Sequence, residues 1–441
     1  MCNEKKNLPA HQLYRYGLLL FKHMRKKRNY TIQREKSSIF QNHNNNGKVG
    51  VRVYLDHAAT TPLDPRVLEE MEPYFSKNFG NPGSIHAEGV VAKDAVSRAR
   101  QKIGSLLGAS PQDIIFTSGG TEANNLAIMG VFTERQKNGV APEDMHFITT
   151  ALEHSSVLEV FHEIEARGAR ITYLGVNPDG VVSAEEVRKA LSKNTVLVSV
   201  MYANNEIGTI EPITAISGTI RHFKRRKGKL LNVFPFFHTD ASQAPLYCDM
   251  SVERLGVDLL ALDGQKIYGP KGVGVLYKRK GVAVSPLFYG GGQEFGLRPG
   301  TENVSGIVGF AEAFRIGAAE RKEESRRLRA LRDYFIKKVL QSIPTAELNG
   351  HAVMRLPNNA NISFPGLDGE WLTVQLDAQG VAVGTKSACL SEESGGSYVI
   401  RALGRGEDQA ASSVRFTLGR KTTKKDLDYT VAALQKIVSN P

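Results

Sequence analysis

Between Val51 and about Arg279, short and nearly continuous apolar runs alternate with longer stretches in which apolar residues recur at helical spacing. The runs "VRVYL", "DIIFTS", "HFITTA", "ITYLGV", "TVLVSVMY", "LLNVFPFFHTD" and "VDLLAL" predict strands. Helix starts stand between several of them. Asp64 before Pro65 opens "PRVLEEMEPYF", and Ser183 with Glu186 has the spacing of a capping box. Strands separated by helices predict βαβ units and a mainly parallel sheet covered on both faces. Pro235 interrupts one run and predicts a kink or a strand edge, because proline cannot donate to a ladder.

The pattern changes after Asn303. From there to Ile343 a long helical stretch runs up to Pro344, long enough to join two domains. Beyond it "NISFPG", "VAVGT" and "SVRFTL" predict strands, and Thr423 caps a helix over "KKDLDYTVAALQKIV", giving a smaller α+β unit. No internal repeat is visible.

A length of 441 residues suggests two or three units at about 100 to 200 residues each, and 41% hydrophobic with 23% charged residues is an ordinary globular composition. The net charge of +12 changes the picture less than its size suggests. Residues 1–50 hold eleven Lys/Arg against two acids, so most of the excess sits in an N-terminal extension around "HMRKKRNY". That extension reads as a solvated basic leader, and nucleic acid is not expected as a partner. Its apolar run "YGLLLF" is too short to span a membrane and precedes the basic cluster, the reverse of a secretory signal. A cytoplasmic protein is expected, with an organelle matrix as the alternative should the leader be a transit peptide. Three scattered cysteines, Cys2, Cys248 and Cys389, exclude a disulfide framework and a four-thiolate centre, so reduced thiols and no metal are expected. Cys389, in the polar stretch "TKSACLSEESGGSY", is placed as a nucleophile, whereas Cys248 in "APLYCDM" reads as a packed residue.

Four groups carry candidate chemistry. In "FTSGGTEANNLAIMG" a strand ends, two glycines allow close approach, and a helix begins near Thr121, so free backbone N–H groups suit an anion. In "FHTDASQAP", Asp240 and Gln243 follow an apolar run, and a carboxylate at a strand's carboxyl end suits a cationic heteroatom. The glycine-rich "LDGQKIYGPKGVG" offers Lys266 and Lys271, either of which can form a Schiff base when desolvated. "ALEHSSV" supplies His154, "MYANNEIGT" supplies Asn204, and "SSVRFTLGR" supplies Arg415. Together these are the groups that pyridoxal phosphate demands: phosphate binders, a carboxylate for the ring nitrogen, an amine for the aldehyde, a ring to stack and a cation for the substrate carboxylate.

With "VYLDHAATTPLDPRV", "FGNPGSIH", "EHSSV", "NNEIGTI", "HTDASQ", "KIYGPKGVG", "GGGQEFGLRPGTEN" and "SAC" in the same order, the sequence resembles the pyridoxal-phosphate-dependent cysteine desulfurases of the class V aminotransferase group over nearly everything after residue 50. The resemblance implies a type I fold of that enzyme class, α/β, with a mainly parallel seven-stranded sheet. Its large domain is expected at 66–320 and its small domain, carrying the cysteine loop, at 51–65 with 321–441. It makes Lys266 the cofactor lysine, His154 the stacking ring, Asp240 the partner of the ring nitrogen and Gln243 a neighbour of the phenolic oxygen. Gly120, Thr121 and Gln265 would line the phosphate site, and Thr301 would reach that of a partner subunit in a homodimer. Asn81, Asn204 and Arg415 would hold the substrate carboxylate, with Asn204 also beside the cofactor, and Cys389 would accept sulfur.

The implied reaction takes L-cysteine to L-alanine and an enzyme persulfide, for transfer to an acceptor such as an iron–sulfur scaffold or a tRNA-thiolation pathway. The stretch from Cys389 to Tyr398 resembles the long-loop branch of the family. Two departures stand out. Asp263 and Gln265 replace the usual serine and histidine ahead of the lysine, and Phe295 replaces a frequent arginine. A carboxylate beside a phosphate repels it unless protonated or turned away, so a selenocysteine lyase or related enzyme, and a non-catalytic scaffold, are the alternatives.

Overall fold

The computed structural model describes residues 52–226, 234–386 and 396–439; the basic leader, residues 1–50, lies outside them. After the short β1 (Val53–Tyr54) come seven strands: β2 (Ile114–Thr117), β3 (His146–Thr150), β4 (Arg170–Leu174), β5 (Thr195–Ser199), β6 (Phe236–Asp240), β7 (Leu259–Asp263) and β8 (Gly274–Lys278). They form one sheet in the order β2-β8-β7-β6-β5-β3-β4. β8 runs antiparallel to both its neighbours and the remaining pairs are parallel, so six strands end on the same edge. The mainly parallel seven-stranded sheet of a type I fold is thus present.

Alternation along each strand feeds two cores. Ile148, Val198, Phe237, Leu260 and Val275 face one side, packed with Ile103 of the helix Ala87–Leu107 and Phe310 and Phe314 of the helix Val304–Ser342. Phe147, Leu197, Phe236, Leu259 and Leu276 face the other, under Phe132 of the helix Gly120–Lys137 and Phe161 of Ser155–Ala166. Burial on both faces explains why these strands read as apolar runs. β6 begins at Phe236, directly after Pro235, as the proline predicts. β8 was not foreseen, since "GVLYK" follows the lysine-bearing turn so closely that it reads as part of it. Ser183 caps its helix but not through the expected box: its Oγ accepts from Glu185 N at 3.2 Å, and the Glu186 side chain pairs with Lys189 instead.

The C-terminal portion adds β9 (Glu347–Asn349), β10 (Asn359–Ser363), β11 (Val381–Ala382) and β12 (Ser413–Thr417). β10 lies between β12 and β9 in an antiparallel sheet, and β1 pairs with β11. Leu55, Ile362, Phe416, Leu372 and Leu434 form its core, with Leu328, Phe335 and Val339 from the far half of Val304–Ser342. That one helix, capped by Asn303, therefore serves both cores. At its middle Glu320 accepts from Arg66 at 2.7 Å and pairs with Arg420 at 3.0 Å. Thr423 and Asp426 form a complete capping box at the last helix, Lys424–Val438.

Candidate active site

The carboxyl edge of the large sheet opens into a cavity of about 260 Å³ whose lining includes Gly120, Thr121, His154, Asp240, Gln243, Gln265, Lys266 and Arg415. This is the edge where ligands collect in parallel α/β sheets. β2 ends in a Gly119–Gly120 turn that β8 presses from behind: a Cβ on Gly274 would stand 2.5 Å from the Gly119 carbonyl carbon. The helix Gly120–Lys137 then starts with no side-chain cap, so the positive end of its dipole faces the cavity.

Asp240, the last residue of β6, is nearly buried. Its Oδ2 accepts from Asn124 Nδ2 at 2.9 Å and its Oδ1 from the Ser242 amide at 2.9 Å. Asn124 also donates to Ser156 Oγ. Two residues earlier on the strand, His238 holds Ser199 Oγ through Nδ1; burial lowers its pKa to about 4, against the pull of the Asp240 charge. His154 caps the helix Ser155–Ala166, its Nδ1 accepting from Ser156 N at 3.1 Å, which leaves the neutral ring's proton on Nε2. Beside it Glu153 is completely buried, and desolvation pushes its carboxyl well above the ordinary range.

Lys266 ends a short turn, Gly264–Lys266, and its Nζ donates to the carbonyls of Ala58 at 2.8 Å and Ala59 at 2.5 Å. Those carbonyls are in reach because Thr61 binds Gln265 O through both N and Oγ1, while Asp56 bridges to Thr417 on β12. Of the two lysines only Lys266 lines the cavity; Lys271 is exposed and outside its lining. Arg415, 2% exposed, donates from Nη2 to Asp56 Oδ1 at 2.8 Å and from Nη1 to Asn205 O at 3.2 Å, and its Nε has no hydrogen-bond partner among the described residues. Gln243 donates to Ala58 O at 3.0 Å.

Other expected residues lie elsewhere. Asn204 is wholly buried and outside the cavity lining: Nδ2 donates to Leu152 O, and Oδ1 accepts from Glu206 N and Ile207 N, so it shapes a loop from which the adjacent Asn205 lines the cavity. Asn81 is exposed and accepts from Gly83 N. Thr301 is exposed shortly before the Asn303 cap. Cys389 lies outside the described residues. Cys248 is packed as expected, and burial pushes its thiol up to about 12. Asn124, Ser156, Ser242 and Asn205 line the cavity without having been singled out. Asn124 alone had a readable signal, one helical turn beyond Gly120 and hence on the same face.

Residues 53–430 match the class-V aminotransferase family. Cysteine desulfurase IscS of Dictyoglomus turgidum is 46% identical over 386 residues, covering 88% of this chain and 94% of that protein. Cysteine desulfurase IscS of Methanosarcina thermophila is 43% identical, covering 88% and 92%. Among solved structures, a NifS-like protein is 35% identical at a TM-score of 0.80, covering 88% of this chain and 100% of that one. SspA in complex with cysteine is 32% identical at 0.71, covering 83% and 99%. A chain that carries the amine, the buried carboxylate and the arginine of this pocket on such a scaffold, and is so similar to these proteins over nearly all their length, belongs to the cysteine desulfurases of the class V aminotransferase family.

Proposed function

We propose that the protein removes sulfur from L-cysteine with pyridoxal phosphate, releases L-alanine, and carries the sulfur as a persulfide on Cys389 to an acceptor protein, such as an iron–sulfur scaffold or a component of tRNA thiolation. The observation that carries this reading is the meeting of Lys266, Asp240 and Arg415 in one cavity, although they lie far apart in sequence. The residues present fit the cofactor. Asp240, nearly buried and held by two donors, suits a protonated ring nitrogen; His154 suits its face; Lys266 suits its aldehyde; the uncapped helix end with Ser242 suits its phosphate. Asp263 is the one group at odds with that fit. When bound, the cofactor supplies an electron sink for a carbanion at the substrate α-carbon.

The chain's own groups do the rest. Arg415 receives the substrate carboxylate, its Nε being unpartnered among the described residues and Asp56 keeping the guanidinium oriented. Lys266 Nζ, released from the Ala58 and Ala59 carbonyls, takes the α-proton. Asp240 holds a proton at the ring nitrogen through its charge. The Cys389 thiolate attacks the substrate sulfur: an S–S bond forms, the substrate C–S bond breaks with its electron pair left on carbon, and protonation there yields alanine.

This reading divides the chain into a large domain at 66–320 and a small one at 51–65 with 321–441, and takes the protein to be cytoplasmic with reduced thiols. It also pairs the chain with a second copy, Thr301 reaching the neighbour's phosphate site. The test is production of alanine and sulfide from cysteine. Lys266→Ala should lose both, whereas Cys389→Ala should lose sulfide yet keep the visible absorbance of bound cofactor. Sulfide release by Cys389→Ala at the wild-type rate would refute the role given to that thiol.

A further inference from the structure

Asp263 ends β7, and its carboxylate is directed at the start of the helix Gly120–Lys137. Oδ2 lies 3.4 Å from where a Cβ on Gly120 would stand and 3.9 Å from the same point on Gly119, while Ser242 Oγ lies 3.0 Å from the Gly120 point. Asp263, Gln265 and Ser242 all line the cavity beside Gly120 and Thr121. The helix end therefore already faces an anion that belongs to the chain. Among the described residues the donors to Asp263 are both from Gln265, its backbone N–H at 3.1 Å and its side-chain amide at 3.3 Å, and both are neutral.

The other charged groups around this corner are committed elsewhere. On the helix, Glu122 pairs with Arg298 at 3.0 Å and accepts from Ser118 N. At the end of β6, Asp240 is held by Asn124 and Ser242 N. In the turn after β7, Lys266 Nζ reaches the Ala58 and Ala59 carbonyls. On β12, Arg415 faces Asp56, and His154 is held by Ser156 N. Among the described residues, Asp263 forms no salt bridge.

We propose that Asp263 makes this corner accept a phosphate ester only together with a proton, so that it sets how strongly the pocket prefers a phosphorylated cofactor. A phosphate monoester loses its second proton near pH 6, giving two negative charges at neutral pH. The helix end and the Ser242 hydroxyl suit one anion, and a dianion placed beside an ionised carboxylate meets like charge in a partly desolvated site. A single proton between a phosphate oxygen and an Asp263 oxygen turns that repulsion into a hydrogen bond. Binding above pH 6 is then coupled to uptake of one proton, and affinity falls as pH rises.

This rests on the cofactor reading above, and the experiment separates the two. The full-length protein, stripped of cofactor, is titrated with pyridoxal phosphate and with pyridoxal, which lacks the phosphate, at pH 6.5 and 8.5; binding is followed by visible absorbance. The ratio of the two affinities cancels whatever titrates at the ring, the aldehyde or Lys266. In the wild type the preference for pyridoxal phosphate should drop at least about tenfold between the two pH values, one coupled proton allowing roughly tenfold per pH unit. In Asp263→Asn and Asp263→Ser the ratio should be flat and at least about tenfold higher at pH 8.5. A wild-type ratio independent of pH would overturn the inference without any substitution, as would variants whose preference matches the wild type. If neither compound gave a visible band with any form of the protein, the cofactor reading would fall and take this inference with it.

Discussion

Glu211 is buried inside the fold with Oε2 on the Val182 amide at 2.8 Å, while Oε1 meets no donor among the described residues. Burial raises its pKa from 4.5 to about 8. Between those two values the unfolded chain has lost a proton that the folded one keeps, so the contribution of this group to stability declines as pH rises through that window. The slope is on the order of 1.4 kcal/mol per pH unit. Glu211→Gln, which can still accept from Val182, should flatten thermal stability between pH 5 and 8 and raise the melting temperature at pH 8. An unchanged pH dependence would mean that Glu211 ionises inside the fold. Other single residues in the site show where the sequence could and could not be read. As residues of the cavity lining, Asp240 was legible because it ends a strand, and His154 and Lys266 because each stands in the turn after one. Asn205 was not, because only the hydrogen bonds of Asn204 decide which of two neighbouring asparagines turns inward.

Among elements, β2, β3, β4, β7 and the helix at 303–343 were readable to within two residues, since both faces of the strands are buried and the helix is capped and long, whereas the apolar runs read for β5 and β6 overshoot, one ending at Tyr202 and the other starting at Leu230. One strand and one pairing escaped. β8 hides in a glycine-rich stretch, and β1, read as a strand in "VRVYL", is placed by pairing with β11, whose residues lie more than 300 positions away. Long-range register of this kind leaves no local period to read. β8 nevertheless bears directly on the pocket, because Gly274 touches the backbone of Gly119 at the turn that leads into Gly120 and Thr121 of the cavity lining. Gly274→Ala would force those two backbones apart, at a cost of about 1–3 kcal/mol for an overpacked contact. The expected outcome is a lower melting temperature together with weaker pyridoxal phosphate binding, measured by denaturant unfolding and cofactor titration. Loss of stability with binding intact would mean that β8 yields and the turn does not.

For the molecule as a whole, no helix among the described residues is long and apolar enough to cross a membrane. The order of motifs foretold the class of fold and the approximate site, but not how the C-terminal core reaches the pocket. That connection runs through Asp56, Ala58 and Ala59, which accept from Arg415 and Lys266 on elements of different sheets. The helix Val304–Ser342 makes a second link, with Phe310 and Phe314 in one core and Phe335 and Val339 in the other. Ala319 is exposed between the two sets. Ala319→Pro should cost about 3 kcal/mol and, in a calorimeter, split one melting peak into two. A single peak in that variant would show that the contacts around Asp56 suffice to couple the cores. A continuous rod shared by two cores has no loop within its own length to serve as a hinge, so any shift of one core against the other must flex a spring whose stiffness is written into 39 consecutive residues.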